Sequence, residues 1–209
     1  MKHTEYPLFP QPAVIMHYPD SFEKELNYIK SLPHTGRQTP TSGRISDNKY
    51  LLYEPEMKTL KNYFQHCLDY FTQEVLKSKQ RVVISQSWST LINKGEGFAT
   101  HDHPNSMING SFYFSGGKDT APLGLLNNRK AFLYVDNFDT TKYNSDCFYI
   151  PPSPGQLVLF PNNLEHYVPE SKEDEERRGI AFNTFIIDKI GSENNMTEVD
   201  LEKIIANTQ

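Results

Sequence analysis

Hydrophobic positions change their period once along the chain. Up to about residue 80 they recur at three- and four-residue intervals: Phe22, Leu26 and Ile29, then Leu60, Phe64, Cys67, Leu68, Phe71 and Val75. The first set, with Asp20 as an N-cap and Glu23 three residues on, predicts a short helix. The second forms one apolar stripe over about five turns, a helix whose stripe calls for a sheet to pack on. Residues 33–49, rich in Pro, Gly, Ser and Thr, read as a loop.

From Arg81 onward the period shortens. RVVISQSWSTLIN, SMINGSFYFSGG, KAFLYVDNF, DCFYIPPSPGQLVLFP and RGIAFNTFIIDKI mix β-branched and aromatic residues with alternating polar ones, and Gly95, Gly97, Gly116, Gly117 and Pro154-Gly155 punctuate them. Many short strands without intervening long helices predict an antiparallel sandwich or barrel. TEVDLEKIIANT opens on a capping box, Thr197 with Asp200, and predicts a short C-terminal helix. The acidic run at 170–176 reads as a solvated loop. The expectation is one domain over 1–209: a helical part at 1–80, a β core at 81–190 and a C-terminal helix at 191–209.

Composition narrows the function classes. The 209 residues carry a net charge of −5 with no basic face or stripe, which argues against a nucleic-acid partner. No run of about 18 apolar residues would span a membrane, and MKHTEYPLFPQP has no apolar signal core. With only Cys67 and Cys147, a reduced cytoplasmic protein is expected.

Candidate chemistry lies in three of the seven histidines. His101 and His103 are two apart, so on a strand both imidazoles face one side while Asp102 faces the other. His166 follows a Pro-Gly turn, a buried strand and a polar loop, and a barrel whose strand ends converge can bring it beside the pair. Two ligands from one strand and one from a distant strand make a facial metal site with open positions. His3, His17, His34 and His66 carry no such company.

The surroundings of these histidines resemble a known family. INKGEGFATHDHPNSMINGSFYF is similar to the H-x-H-P-x-S stretch and following Ser-Gly-x-Tyr-Tyr strand of the iron(II)/2-oxoglutarate oxygenases. PSPGQLVLFPNNLEHYVPE resembles their Pro-Gly-x-Leu-x-Leu-Phe-Pro…His segment, and ERRGIAFN their closing Glu-Arg-x-Ser-x-x-Phe-Asn. The three occur in order over roughly residues 86–186. The resemblance implies a mainly β, double-stranded β-helix (jelly-roll, cupin-like) fold with the N-terminal helices packed outside. It also implies Fe(II) at His101, His103 and His166, 2-oxoglutarate as cosubstrate, molecular oxygen, and hydroxylation of an organic or protein substrate. Arg177, 11 residues after His166, has the planar fork for the far carboxylate of 2-oxoglutarate, and Arg178 points to the other side of its strand. Tyr113 and Asn183 are expected to line the same pocket, and Asn93 is a weaker candidate. The substrate is expected to approach over the barrel mouth, near the 33–49 loop, the 116–130 loop or the 138–147 segment.

Two departures matter. Gly179 stands where the family pattern has Ser, and only the second Tyr of Ser-Gly-x-Tyr-Tyr is kept, as Tyr113. His103 stands where a carboxylate is more usual, so three neutral imidazoles leave the metal its full charge; a strand bulge would offer Asp102 instead. A cupin-like metal- or ligand-binding protein without oxygenase activity, and a jelly roll with incidental histidines, are the alternatives. The helical N-terminal part and the C-terminal helix leave a homodimer open.

Overall fold

A computed structural model of the chain describes residues 1–128 and 139–208. The strand expected within KAFLYVDNF and the adjoining part of the 116–130 loop lie outside the described residues. Among those described, ten strands and three α-helices follow one another as β1 (Val14–His17), α1 (Glu23–Ser31), β2 (Arg44–Ile45), α2 (Lys58–Tyr70), β3 (Val82–Ile92), β4 (Phe98–His101), β5 (Ile108–Tyr113), β6 (Leu123–Leu126), β7 (Cys147–Ile150), β8 (Gln156–Pro161), β9 (His166–Val168), β10 (Arg177–Ile186) and α3 (Leu201–Ala206).

Two antiparallel sheets form the jelly roll. The larger runs β1-β8-β5-β10-β3-β2 and the smaller β4-β9-β6-β7. Alternation gives the larger sheet two faces with different work. On one face Ile108, Phe112, Leu157, Leu159, Ile180 and Phe182 pack under α1 and α2. Phe64 stacks on Phe182 at 5.4 Å and tilts against Phe112 at 5.0 Å, so the predicted stripe of α2 meets the sheet as expected. A Cβ on Gly110 would overlap the Phe182 ring, which explains a glycine in the middle of β5. Val158 and Phe160 face the opposite way, toward Leu123, Leu125 and Ile150 of the smaller sheet.

A register shift decides which face β3 presents. Thr184 pairs with Ile84 and Asn183 with Gln86, leaving Ser85 as the extra residue. Ile84 therefore lies in the helix-side core, whereas Trp88 and Thr90, of the same parity, line the barrel interior.

The ends of several elements differ from expectation. Asp20 caps nothing: α1 begins after Phe22, whose ring is wedged edge-on between Phe112 and Phe114 at 5.9 and 5.4 Å. Tertiary packing, not the cap residue, fixes where this helix starts. The cap of α3 is Asp200, which accepts from the Lys203 amide at 3.1 Å, three residues beyond Thr197. β1 emerges from the Pro-containing opening because it completes the edge beside β8. The run from Asp146 to Pro161 divides at Pro151–Gly155 into β7 and β8, which belong to different sheets. The 116–130 segment, expected as loop, contains β6. Among the described residues no helix is long and apolar enough to cross a membrane.

Candidate metal centre and its cavity

β4 and β9 pair with His101 opposite His166, and a bulge between Phe98 and His101 turns the end of β4 inward. His103 lies beyond β4, in the turn toward β5, and not on the same strand as His101 as expected. The turn nevertheless brings its ring in: the ring centroids are 4.3 Å apart for His101 and His166, and 5.0 Å for each pair that includes His103. One ligand nitrogen from each imidazole lies within 4.8 Å of the others. Asp102 is exposed and outside this cluster.

Backbone carbonyls set the ring tautomers. His101 Nδ1 donates to Ala99 O at 2.7 Å and His166 Nδ1 to Leu164 O at 3.2 Å, so each ring presents its Nε2 lone pair inward. His103 Nε2 and His166 Nε2 face each other at 3.2 Å. A cation about 2.1 Å from each nitrogen fits between them. Trp88 stacks on His103 at 5.7 Å and Phe160 meets His166 edge-on at 4.9 Å, holding both rings. Burial, with His101 nearby, pushes the His103 pKa down to about 4 and that of His166 down to about 3. Both rings are neutral at physiological pH.

The rings open into a cavity of about 350 Å³, bounded by Arg177, Thr90, Asn109, Phe160, Arg37 and residues around them. Arg177 is 3% exposed, and no carboxylate pairs with it among the described residues. Its Nε has no hydrogen-bond partner, and burial pulls its pKa down. The nearest compensation is Tyr113, whose ring lies 4.9 Å from Cζ; its hydroxyl is buried without a hydrogen bond, and the residue packs beside Leu123, Val158 and Phe160 and not in the cavity wall where it was expected. A buried cation without an anion is costly, and here it borders a cavity that also holds three inward-facing imidazoles.

Thr90 bears on the Gly179 departure. It stands across the β3–β10 pairing from Gly179, and a Cβ at 179 would come 2.6 Å from the Phe112 carbonyl and 3.2 Å from Thr90 Oγ1. The neighbouring strand thus supplies a hydroxyl where residue 179 has none. Asn183 does not border the cavity; its buried, unbonded carbonyl oxygen faces His103 and favours the protonated ring. Asn93 is not brought to the site: it closes a turn with Glu96, whose carboxylate accepts from the Asn93 amide at 2.9 Å. Sequence reasoning missed Trp88, Thr90 and Asn109, whose inward direction depends on the β3 bulge and the pairing of β5, and Arg37, which sits in the 33–49 loop.

A jelly roll thus brings a converging set of three histidines and a buried arginine to one cavity. Residues 86–183 match the family model described as "Putative 2OG-Fe(II) oxygenase". No curated protein matches the chain. Similar solved structures include HygX from Streptomyces hygroscopicus with nickel, 2-oxoglutarate and hygromycin B bound, at TM-score 0.60 and 11% identity over 84% of this chain and 83% of that one. A Pseudomonas putida prolyl-4-hydroxylase aligns at TM-score 0.57 and 13% identity over 84% and 92%. A Trichoplax adhaerens prolyl hydroxylase, in complex with a hypoxia inducible factor peptide fragment, aligns at 0.58 and 15% over 83% of each chain. At these identities the likeness concerns the fold.

Proposed function

We propose that this enzyme is a hydroxylase in which His101, His103 and His166 hold Fe(II) and Arg177 receives the far carboxylate of 2-oxoglutarate. The observation that carries the reading is Arg177, a buried guanidinium without a carboxylate partner, in the wall of the cavity the three imidazoles enter. A dicarboxylate that reaches from metal to guanidinium satisfies both ends at once.

When bound, Fe(II) and 2-oxoglutarate supply the oxidising chemistry: oxygen converts the keto acid to succinate and CO2 and delivers one oxygen atom to a substrate C–H. The protein's residues bind, orient and exclude water. Ala99 O and Leu164 O keep two imidazoles in the ligating tautomer. Asn183, whose carbonyl oxygen faces His103, orients that ring and does not hold the cosubstrate: it accepts the outer N–H once the other nitrogen turns to the metal. The Tyr113 and Thr90 hydroxyls join Arg177 around the carboxylate. Trp88 and Phe160 shield the rings, and no side chain is needed as acid or base. With Cys67 and Cys147 both free, the reading places the enzyme in the reducing cytoplasm.

The test is succinate formation by anaerobically Fe(II)-loaded protein on exposure to oxygen and 2-oxoglutarate. Wild type should form succinate slowly even without its substrate. His166→Ala should lose metal and succinate together. Succinate formation that survives His166→Ala, or no 2-oxoglutarate affinity in the metal-loaded wild type, would sink the assignment.

A further inference from the structure

Arg177 is not the only arginine in the cavity wall. The 33–49 loop closes the open side with Gly36, Arg37, Gln38, Gly43 and Ile45, and the Arg37 side chain is 33% exposed. The described residues that line the cavity include no Asp or Glu.

Arg37 is fixed in place before anything binds. Its Nη1 donates to Pro40 O at 2.7 Å, and its Nη2 contacts Glu96 Oε1. The loop that carries it is tied to the barrel by Gly43 N to Gly97 O at 2.8 Å and closed on itself by Ile45 N to Gly36 O at 2.9 Å. Glu96 does not neutralise the cluster, because Arg44 shares it: Arg44 Nε lies 4.0 Å from the same oxygen and is buried without a hydrogen bond. Glu96 pairs directly with Arg37 and only loosely with Arg44, so the three groups together carry a net charge of +1, and Arg37 is the member that borders the cavity.

The charge balance of the loaded site makes this surplus informative. The ligands are neutral imidazoles, so a divalent metal keeps both charges and is balanced by dianionic 2-oxoglutarate. With one carboxylate of 2-oxoglutarate on the metal and the other on Arg177, the loaded site keeps a surplus of positive charge shared among the metal, Arg177 and the Arg37 cluster, around a cavity whose other walls, at Ile45, Phe98, Leu123 and Val168, are apolar. Beside these cations, with no carboxylate in the cavity wall, an anion is favoured over a neutral or cationic group.

We propose that the primary substrate is a small anion, a carboxylate- or phosphate-bearing molecule with an apolar body. Its charge sits on Arg37, beside Gln38, while its apolar part reaches toward the histidines. The proposal rests on the oxygenase reading above and names the substrate class of that site. A preorganised guanidinium gives up little freedom on binding, which suits recognition of a small ligand.

The test uses Zn(II)-loaded protein, first titrated with 2-oxoglutarate alone, then, at saturation, with propanoate, hexanoate and octanoate, with hexyl phosphate, and with hexanamide and hexylammonium as neutral and cationic counterparts. The first titration tests the oxygenase reading independently. At least one carboxylate or the phosphate should bind about tenfold or more tighter than hexanamide, the size expected of a charge-assisted contact. Carboxylate against phosphate identifies the headgroup. Arg37→Gln should erase the preference and Arg37→Lys keep part of it. Gln38→Glu, an exposed change, should weaken the anions alone. The proposal is overturned if hexanamide or hexylammonium binds as well as the anions, or if the anion preference survives Arg37→Gln.

Discussion

Replacing Arg177 with methionine should make the protein more stable and unable to use its cosubstrate. Methionine replaces the aliphatic stem of the side chain, ends where the guanidinium fork begins, and removes the charge. Arg177 is 3% exposed and has no carboxylate partner among the described residues, so in the unliganded protein its desolvation is offset chiefly by the Tyr113 ring, 4.9 Å from Cζ. Such a contact is worth about 1 kcal/mol, against several for the uncompensated charge, which leaves a net gain of about 1–3 kcal/mol for Arg177→Met. Ligand reverses the order. At 100 times its dissociation constant, 2-oxoglutarate should stabilise Zn(II)-loaded wild type by about 2.7 kcal/mol and leave the variant unmoved. Urea unfolding of both proteins, each with and without 2-oxoglutarate, reads all four states. The variant should lead without ligand and draw level or fall behind with it. A variant less stable than wild type without ligand, or one that 2-oxoglutarate stabilises equally, refutes the account of Arg177 as an unpaired cation awaiting a carboxylate.

Acid should destabilise the metal-free protein through His103 and His166. Their pKa values lie at about 4 and about 3, below the unfolded value near 6.5, so the unfolded chain binds the extra protons as pH falls from 6.5. Stability is lost across that window, by about 4 kcal/mol for the pair between pH 7.5 and 5, and a His103→Gln/His166→Gln variant should lack most of this loss in urea titrations at the two pH values. Thr90→Val removes only a hydroxyl and should raise the 2-oxoglutarate dissociation constant about tenfold in calorimetry. Thr90→Ser should not; equal affinities for wild type and Thr90→Val would return the hydroxyl to a bystander role. Gly110→Ala forces its methyl into Phe182 and should cost about 2–3 kcal/mol in urea unfolding.

The parts of the site that could be read from sequence are those whose direction follows from a local period. Arg177, Gly179 and Ala181 alternate on β10, and the turn-strand-loop order before His166 places that ring at a strand end whatever lies next to it. The face of Trp88 could not be read so. Val82, Ile84, Trp88, Thr90 and Ile92 share one parity, and an unbroken strand would put them all on one side. The extra residue at Ser85, visible only through pairing with β10, sends the first two under the helices and Trp88 and Thr90 into the cavity. His103 was read correctly as inward and wrongly as strand, because β4 ends at His101 and the chain turns toward β5 before the next ring. Arg37 had no readable direction, since the 33–49 loop takes its course from bonds to Gly97 and Ser89, residues distant in sequence.

The distribution of unmet polar groups shows how the fold sustains a reactive cavity. Among the described residues, seven carry buried side-chain polar atoms without hydrogen bonds; Arg44, Gln156 and Ser171 lie elsewhere, while Asn109, Tyr113, Arg177 and Asn183 belong to β5 or β10, adjacent strands in the larger sheet. Each such group costs about 1–3 kcal/mol, enough together to unfold a marginal domain. The same two strands present Ile108, Phe112, Ile180 and Phe182 to the helices on their other face, where Phe64 closes over them. A strand cannot shift register to relieve one face without moving every residue on the other. The aromatic packing beneath the helices therefore holds the unsatisfied groups in position. That is why the stability gained by Arg177→Met and the stability lost by Gly110→Ala should arise on opposite faces of one sheet.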